Sequence, residues 1–272
     1  MTPRIAIPLP TSIDLSYNQR SWPTYATAVT RSGGEPVAID LAASPSEILA
    51  LAATCDGILL PGSPADVEPA LYGVDRDPAS APADPAREST DRLLLDHAEK
   101  LRKPVLGICY GIQSLNVWRG GSLVQDLTPL PVNHSAGSKV AIAHTAQISK
   151  DSILASLLTL EEAPEADGFL RLPINTSHHQ SVAAPGTGLR IVARCPDDGV
   201  IEAVELESND SMFHVEHSAP TQFLLGVQWH PERSYEISAA SRALFDRLVA
   251  EARPFAETRT PSTEQPAETT TR

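Results

Sequence analysis

The sequence predicts an α/β protein, a single domain built on a mostly parallel sheet flanked by helices, with an added antiparallel portion. Three observations support this. Strand-like apolar runs alternate with amphipathic helix-like runs, as expected for a sheet covered on both faces. At 272 residues and 42% hydrophobic content, the chain suits one large domain with a full core. A third signal is a nucleophile-bearing pentapeptide between a strand-like and a helix-like run, at residues 103–118.

Taken in order, Arg4 to Leu9 reads as the first strand, Ser21 to Ser32 as a helix closed by Gly33-Gly34, and Pro36 to Leu41 as the second strand. Ser46 to Thr54 reads as a helix and Gly57 to Leu60 as a buried strand. Ala65 to Ala86, rich in Pro, Asp and Ala, is an irregular excursion. Glu88 to Leu101 is a longer helix with Leu93, Leu94, Ala98 and Leu101 on one face. It leads to the strand Lys103 to Leu106 and the helix Ile112 to Trp118, which Gly120-Gly121 caps. Val140 to Ile148, Leu189 to Ala193, Val200 to Leu206 and Phe223 to Trp229 read as strands, several of them antiparallel. Ser238 to Glu251 is a closing helix with Leu244, Phe245 and Leu248 turned inward. The domain is expected to span residues 1–252. From Arg253 the composition turns to Thr, Pro, Glu and Ala without periodicity, so 253–272 reads as a disordered tail.

The net charge of −13 argues against nucleic acid or an anionic membrane as partner, because no basic patch offsets phosphates. Cys55, Cys109 and Cys195 have no C-x-x-C spacing and cannot all pair, which fits a reducing compartment. No early apolar run resembles a leader and none is long enough to span a bilayer, so the expected location is the cytoplasm.

The chemistry lies in two places. Gly107-Ile108-Cys109-Tyr110-Gly111 forms a strand-to-helix turn that lifts Cys109 above the sheet edge, the flanking glycines sparing collisions with nearby backbone. A helix N-terminus favours thiolate over thiol, and the Tyr110 N–H is placed to hold an oxyanion. Much further on, Gly226-Val227-Gln228-Trp229-His230-Pro231-Glu232 supplies a base and its orienter. In an extended chain residues two apart share a face, so Glu232 can accept from one imidazole nitrogen while the other faces the thiol.

These two segments, together with Leu60-Pro61-Gly62-Ser63-Pro64, resemble the class I glutamine amidotransferase superfamily. Asn175-Thr176-Ser177-His178-His179-Gln180-Ser181-Val182, and Asp84 to Asp91 leading into a helix, are similar to its γ-glutamyl-γ-aminobutyrate hydrolase branch, the peptidase C26 group. The likeness runs from about residue 4 to residue 250. It implies a flavodoxin-like amidotransferase fold, a Cys109–His230–Glu232 triad, a role in polyamine catabolism, and a small γ-glutamyl substrate cleaved through a thioester. No cofactor is implied. Tyr110 stands where many members of the branch carry Arg, which bears on substrate identity and not on the triad.

Weaker candidates surround this core. Gly62, in a Pro-Gly-Ser-Pro turn, is the second oxyanion-hole candidate, and Gln113 and His179 are the candidates for substrate contacts. His178-His179-Gln180 reads as facing the cleft, lining a metal site or capping a loop, and because adjacent histidines point to opposite sides of an extended segment, at most one serves the site. His214 and His217 lack Cys or acidic partners at ligand spacing, and no metal site is expected. Cys55 and Cys195 read as structural. Two other functions fit the same motifs: a glutaminase subunit delivering ammonia to a separate synthetase, and a non-catalytic homologue. A homodimer is left open.

Overall fold

The computed structural model describes residues 1–127, 130–207 and 222–259. His214, His217 and most of the expected tail lie outside these residues. A 10-stranded sheet runs in the order β2-β1-β3-β4-β12-β11-β10-β6-β8-β7. Its first half is parallel: β2 (Glu35–Ile39), β1 (Arg4–Pro8), β3 (Gly57–Leu60), β4 (Val105–Ile108) and β12 (Leu224–Val227). From β12 the sheet continues antiparallel through β11 (Ile201–Leu206), β10 (Leu189–Arg194), β6 (His144–Ser149), β8 (Phe169–Ile174) and β7 (Glu165–Ala166). β5 (Ser122–Val124) and β9 (Ser181–Ala184) form a separate antiparallel ribbon.

Strand side chains alternate between two cores. Ile5, Ile7, Leu59, Leu106 and Ile108 pack under Tyr25, Ala28 and Val29 of α1 (Leu15–Arg31) and Leu244, Phe245 and Leu248 of α7 (Ala239–Thr258). Ala6, Ile58, Leu60 and Val105 face the opposite side, against α2 (Pro45–Ala53), α3 (Pro85–Leu101) and α4 (Tyr110–Trp118). Helix starts follow their caps. Asp14 accepts from the Tyr17 amide and starts α1 earlier than the hydrophobic periodicity indicates. Ser44 and Glu47 close a capping box on α2. Asp84, followed by Pro85 at the first helical position, starts α3.

Three expectations shift. The first antiparallel strand begins at His144 rather than Val140, and residues 131–143 are irregular. β12 ends at Val227, two residues short of Trp229. α7 continues to Thr258, past the expected boundary at 252, because Ala252 and Ala256 remain buried on its inner face. Arg259, just beyond, donates to Asp56 Oδ2 (2.8 Å), to the Thr54 carbonyl (2.9 Å) and to the Thr2 carbonyl (3.2 Å).

One buried ion pair joins the elements around the site. Arg87, fully buried, bonds Asp91 (2.7 Å) and donates to the carbonyls of Pro10 (2.9 Å) and Pro61 (2.7 Å). Its guanidinium also lies 4.7 Å from the centroid of the Tyr110 ring. Asp84 accepts from the Thr11 hydroxyl (2.8 Å) and the Ser12 amide (2.6 Å), holding the same β1–α1 loop. Removing one partner of such a pair strands a charge out of water. Asp91→Ala is therefore expected to destabilise the fold by about 3–5 kcal/mol, read from urea unfolding. A loss below about 1 kcal/mol, the value of a surface pair, would show that Arg87 is not anchored this way.

Candidate active site

The elbow is built by close packing. Cys109, the cap of α4, holds φ 54° and ψ −106°, a backbone conformation that few non-glycine residues adopt. Its amide donates to the Val227 carbonyl at 2.9 Å, fixing the turn to β12. A Cβ on Gly107 would come 2.8 Å from Gly111 backbone, one on Gly111 would overlap the Leu60 carbonyl, and one on Gly226 would lie 2.6 Å from Ile112 Cγ1. These glycines let α4 sit directly on β3 and β12, with Cys109 6% exposed at the carboxyl end of β4.

His230 meets Glu232 by a route the sequence does not announce. The two residues do not alternate along a strand. β12 has already ended, His230 caps the short helix α6 (Pro231–Ser234), and Pro231 occupies its first position. Glu232 then turns back so that Oε1 lies 2.8 Å from His230 Nδ1. Both side chains are 2% exposed. Nε2 has no hydrogen-bond partner and is left to the neighbouring Cys109. Catalytic hydrogen bonds commonly tighten only once substrate arrives. Burial alone would push His230 down, but the charges of Glu232 and Cys109 outweigh it and lift the imidazole to about 9. Glu232 is likewise pushed up by burial and pulled further down by His230, so its carboxyl lies below the usual range. The pair therefore favours the imidazolium–carboxylate form.

Gly62 lies in the same site. A Cβ there would be 3.1 Å from His230 Cε1 and 3.5 Å from Cys109 Cβ. The expectation of a free Gly62 N–H needs correction, however, since it donates to the Tyr25 hydroxyl at 3.1 Å. An oxyanion must compete for that N–H with the oxygen of a phenol that burial keeps neutral. Tyr110 begins α4, where the first amides have no intrahelical acceptor.

The substrate-contact candidates are placed differently from what was expected. Gln113 is 4% exposed and donates its amide to the Gln180 carbonyl (3.0 Å) and to Gln228 Oε1 (3.3 Å), bracing the neighbouring segments instead of offering donors to a ligand. His179 is half-buried between Asp66 (3.1 Å) and Asp126 (3.4 Å), so both ring nitrogens are engaged. The Tyr110 ring is buried against Arg87, turned into the core. Cys55 and Cys195 are buried free thiols, and burial pushes Cys195 up to about 12.

Sequence reasoning missed two positioning residues. Asn175 grips the His230 backbone at both ends, donating to its carbonyl (2.8 Å) and accepting from its amide (2.9 Å). Tyr25 sits under Gly62. Neither is near the triad in sequence, and only the quoted Asn175 segment hinted at the first. Away from the residues singled out in the sequence, His134, His144 and Glu202 bring ligand atoms within 4.8 Å of one another.

With this geometry in hand, comparison with known proteins is decisive: the peptidase C26 description matches residues 13–232. The chain belongs to the peptidase C26 family. The gamma-glutamyl-gamma-aminobutyrate hydrolase PuuD of Escherichia coli K12 is 35% identical over 234 residues, covering 83% of each chain. Protein NtpR of Enterococcus hirae is 30% identical over 233 residues, covering 84% of this chain and 87% of that one. The glutaminase domain of Trypanosoma brucei CTPS, solved with bound acivicin, superposes with a TM-score of 0.57 at 16% identity, over 93% of this chain and 94% of that one. That likeness concerns the fold. This C26 member is a glutamine amidotransferase-like hydrolase. Among its described residues no helix is long and apolar enough to cross a membrane.

The His230–Glu232 pair makes stability depend on pH. The raised His230 contributes stability that is complete below its ordinary ~6.5 and is lost as pH rises through about 9. The lowered Glu232 contributes above its ordinary ~4.3, and that contribution is lost only as pH falls through the depressed value. The stability gap between wild type and Glu232→Gln is therefore expected to be widest near pH 5–6.5 and to shrink toward pH 9, in urea melts across that range. A gap that does not vary with pH would remove the ion pair from the account. Asn175→Ala is expected to lower kcat by up to about a hundredfold with KM little changed, since it displaces the base without touching substrate.

Proposed function

We propose that this protein hydrolyses γ-glutamyl amides, γ-glutamyl-γ-aminobutyrate or a related γ-glutamyl amine, through a γ-glutamyl thioester on Cys109. The observation that supports this most is the convergence of an elbow thiol, a buried imidazole and its carboxylate, in a chain 35% identical to a named γ-glutamyl-γ-aminobutyrate hydrolase. Cys109 sulfur attacks the γ-carbonyl, and the Tyr110 amide receives the developing oxyanion, joined by Gly62 once its N–H leaves Tyr25. Imidazolium His230 gives its proton to the departing amine. Water then attacks the thioester with His230 as base, releasing glutamate and restoring the thiol. Glu232 holds the imidazole orientation and stabilises its charged form without itself taking the proton. With Tyr110 buried against Arg87, contacts to the leaving group must come from other residues. Modest discrimination among γ-glutamyl amines follows.

Cys109→Ala is expected to abolish both amine release and iodoacetamide labelling at that position, while Cys55→Ala and Cys195→Ala retain activity. Glu232→Gln should slow turnover less than His230→Ala. Comparing kcat/KM for γ-glutamyl-γ-aminobutyrate, an uncharged γ-glutamyl alkylamide and glutamine tests the substrate class. A clear preference for glutamine, or turnover seen only after a second protein is added, would refute this reading in favour of ammonia delivery.

A further inference from the structure

Close to the triad, four ionisable side chains from separate segments meet out of water. His134 comes from the loop before β6, His144 from the start of β6, His178 from the segment between β8 and β9, and Glu202 from β11. The side chains of His134, His144 and Glu202 are 2%, 4% and 0% exposed, and His178 is 5% exposed. Each still has a polar atom without a hydrogen-bond partner: Nδ1 of His134, Nδ1 of His144, Nε2 of His178 and Oε2 of Glu202. Unpaired atoms on four adjoining side chains call for an explanation, since buried polar groups are nearly always satisfied, although on His144 it is Nε2 and not the unpaired Nδ1 that faces Glu202.

Their orientations supply one. His134 Nε2 is held by Asp198 Oδ2 at 2.9 Å, leaving Nδ1 only 3.4 Å from Glu202 Oε1. His178 Nδ1 lies 2.9 Å from the Gln180 carbonyl, leaving Nε2 buried beside the Glu202 charge, its ring centroid 5.0 Å from that of His134. Holding one imidazole nitrogen with a carboxylate or carbonyl, so that the other is presented as a lone pair, is the usual support of a metal-ligating histidine. His144 Nε2 lies 2.9 Å from Glu202 Oε1. The 3.4 and 2.9 Å separations from Glu202 Oε1 lie near the roughly 3.3 Å edge of a tetrahedron with metal–ligand bonds of about 2.0–2.1 Å. Cys195 is the nearest alternative ligand, but its thiol is turned to Asp198 and burial keeps it protonated.

We propose that His134 Nδ1, His144 Nε2 and a Glu202 carboxylate oxygen, which lie within 4.8 Å of one another, bind one Zn2+ ion. Imidazole with one carboxylate suits zinc, and the three protein ligands leave the fourth tetrahedral position to a water molecule. A cavity of about 280 Å3 bordered by Leu130, Val132 and Asn133 reaches His134 and His178 and provides an entry path. The ion would pin His134, whose carbonyl accepts from the Thr176 hydroxyl (2.8 Å) and the His178 amide (2.9 Å), beside the Asn175 that grips His230.

The test uses the full chain carrying Cys109→Ala, which removes the active-site thiol as a competing ligand. After dialysis against a chelator, Co2+ is titrated and then displaced with Zn2+. The expected result is one ion per chain, visible d–d absorption of a tetrahedral site without a thiolate charge-transfer band, and a Tm rise of about 5–10 °C at a hundredfold excess of Zn2+ over Kd. Glu202→Gln and His144→Gln, checked for folding by circular dichroism, should lose both the absorption and the Tm rise, and His134→Gln serves if either fails to fold. Absence of stoichiometric binding, or binding that persists unchanged in the variants, would overturn the site.

Discussion

The closeness with which the first turn of α4 lies on β3 and β12 governs the rest of the site. Gly111 lies against the Leu60 carbonyl and Gly226 against Ile112, and a single methyl at either place would push the helix off the sheet. Only in that position does the Cys109 amide reach the Val227 carbonyl, which in turn holds Cys109 in its unusual backbone conformation. The strain is local and the packing that sustains it is extensive, as expected of a nucleophile that must stand proud of a sheet edge. The carboxyl ends of three parallel strands, β3, β4 and β12, thereby deliver Gly62, Cys109 and His230 to one point.

Buried polar groups then convert this rough convergence into fixed geometry. Arg87 ties the Pro61 carbonyl, one bond away from the Gly62 amide, to the β1–α1 loop and to the elbow residue Tyr110. Asn175 performs the corresponding task for the base, and its Nδ2 also reaches Ser234 Oγ at 3.2 Å on α6. Each of these groups is satisfied on several sides, the condition under which buried polarity rigidifies a site. Gln113 belongs with them. Its helix position correctly places it one turn from Cys109, but its amide finds acceptors on Gln180 and Gln228 before any ligand could.

What could be read from the sequence depended on whether the signal was local. The elbow and the parallel strands declare themselves within a few residues, through glycine spacing and continuous apolar runs, whereas α2 and α3 begin ahead of their hydrophobic periodicity, at Pro45 and Pro85 behind their capping side chains. The short strands β5 and β9 carry no such run, and Pro173 and Arg171 obscure β8. The pairing of His230 with Glu232 was legible as chemistry but not as geometry, because the chain changes from strand to helix between them. Tyr25, Asn175 and the His134–His144–Glu202 cluster depend on contacts between segments far apart in sequence, which no window of local pattern can register. The buried face of α7 likewise outlasts its sequence periodicity, since Ala256 is too small to mark a stripe.

Asp56 has a consequence for how this chain could be joined to other things. Its carboxylate receives both the Arg4 amide at 2.8 Å, where β1 begins, and Arg259, where α7 has just ended. Residues 2 and 259 are thus neighbours at the amino ends of the parallel strands, across the sheet from the nucleophile. A strand of four residues such as β4 separates the two edges by about 13 Å. A circular permutant that links these positions would keep every strand in its place, and a protein fused at either one would project away from the catalytic mouth.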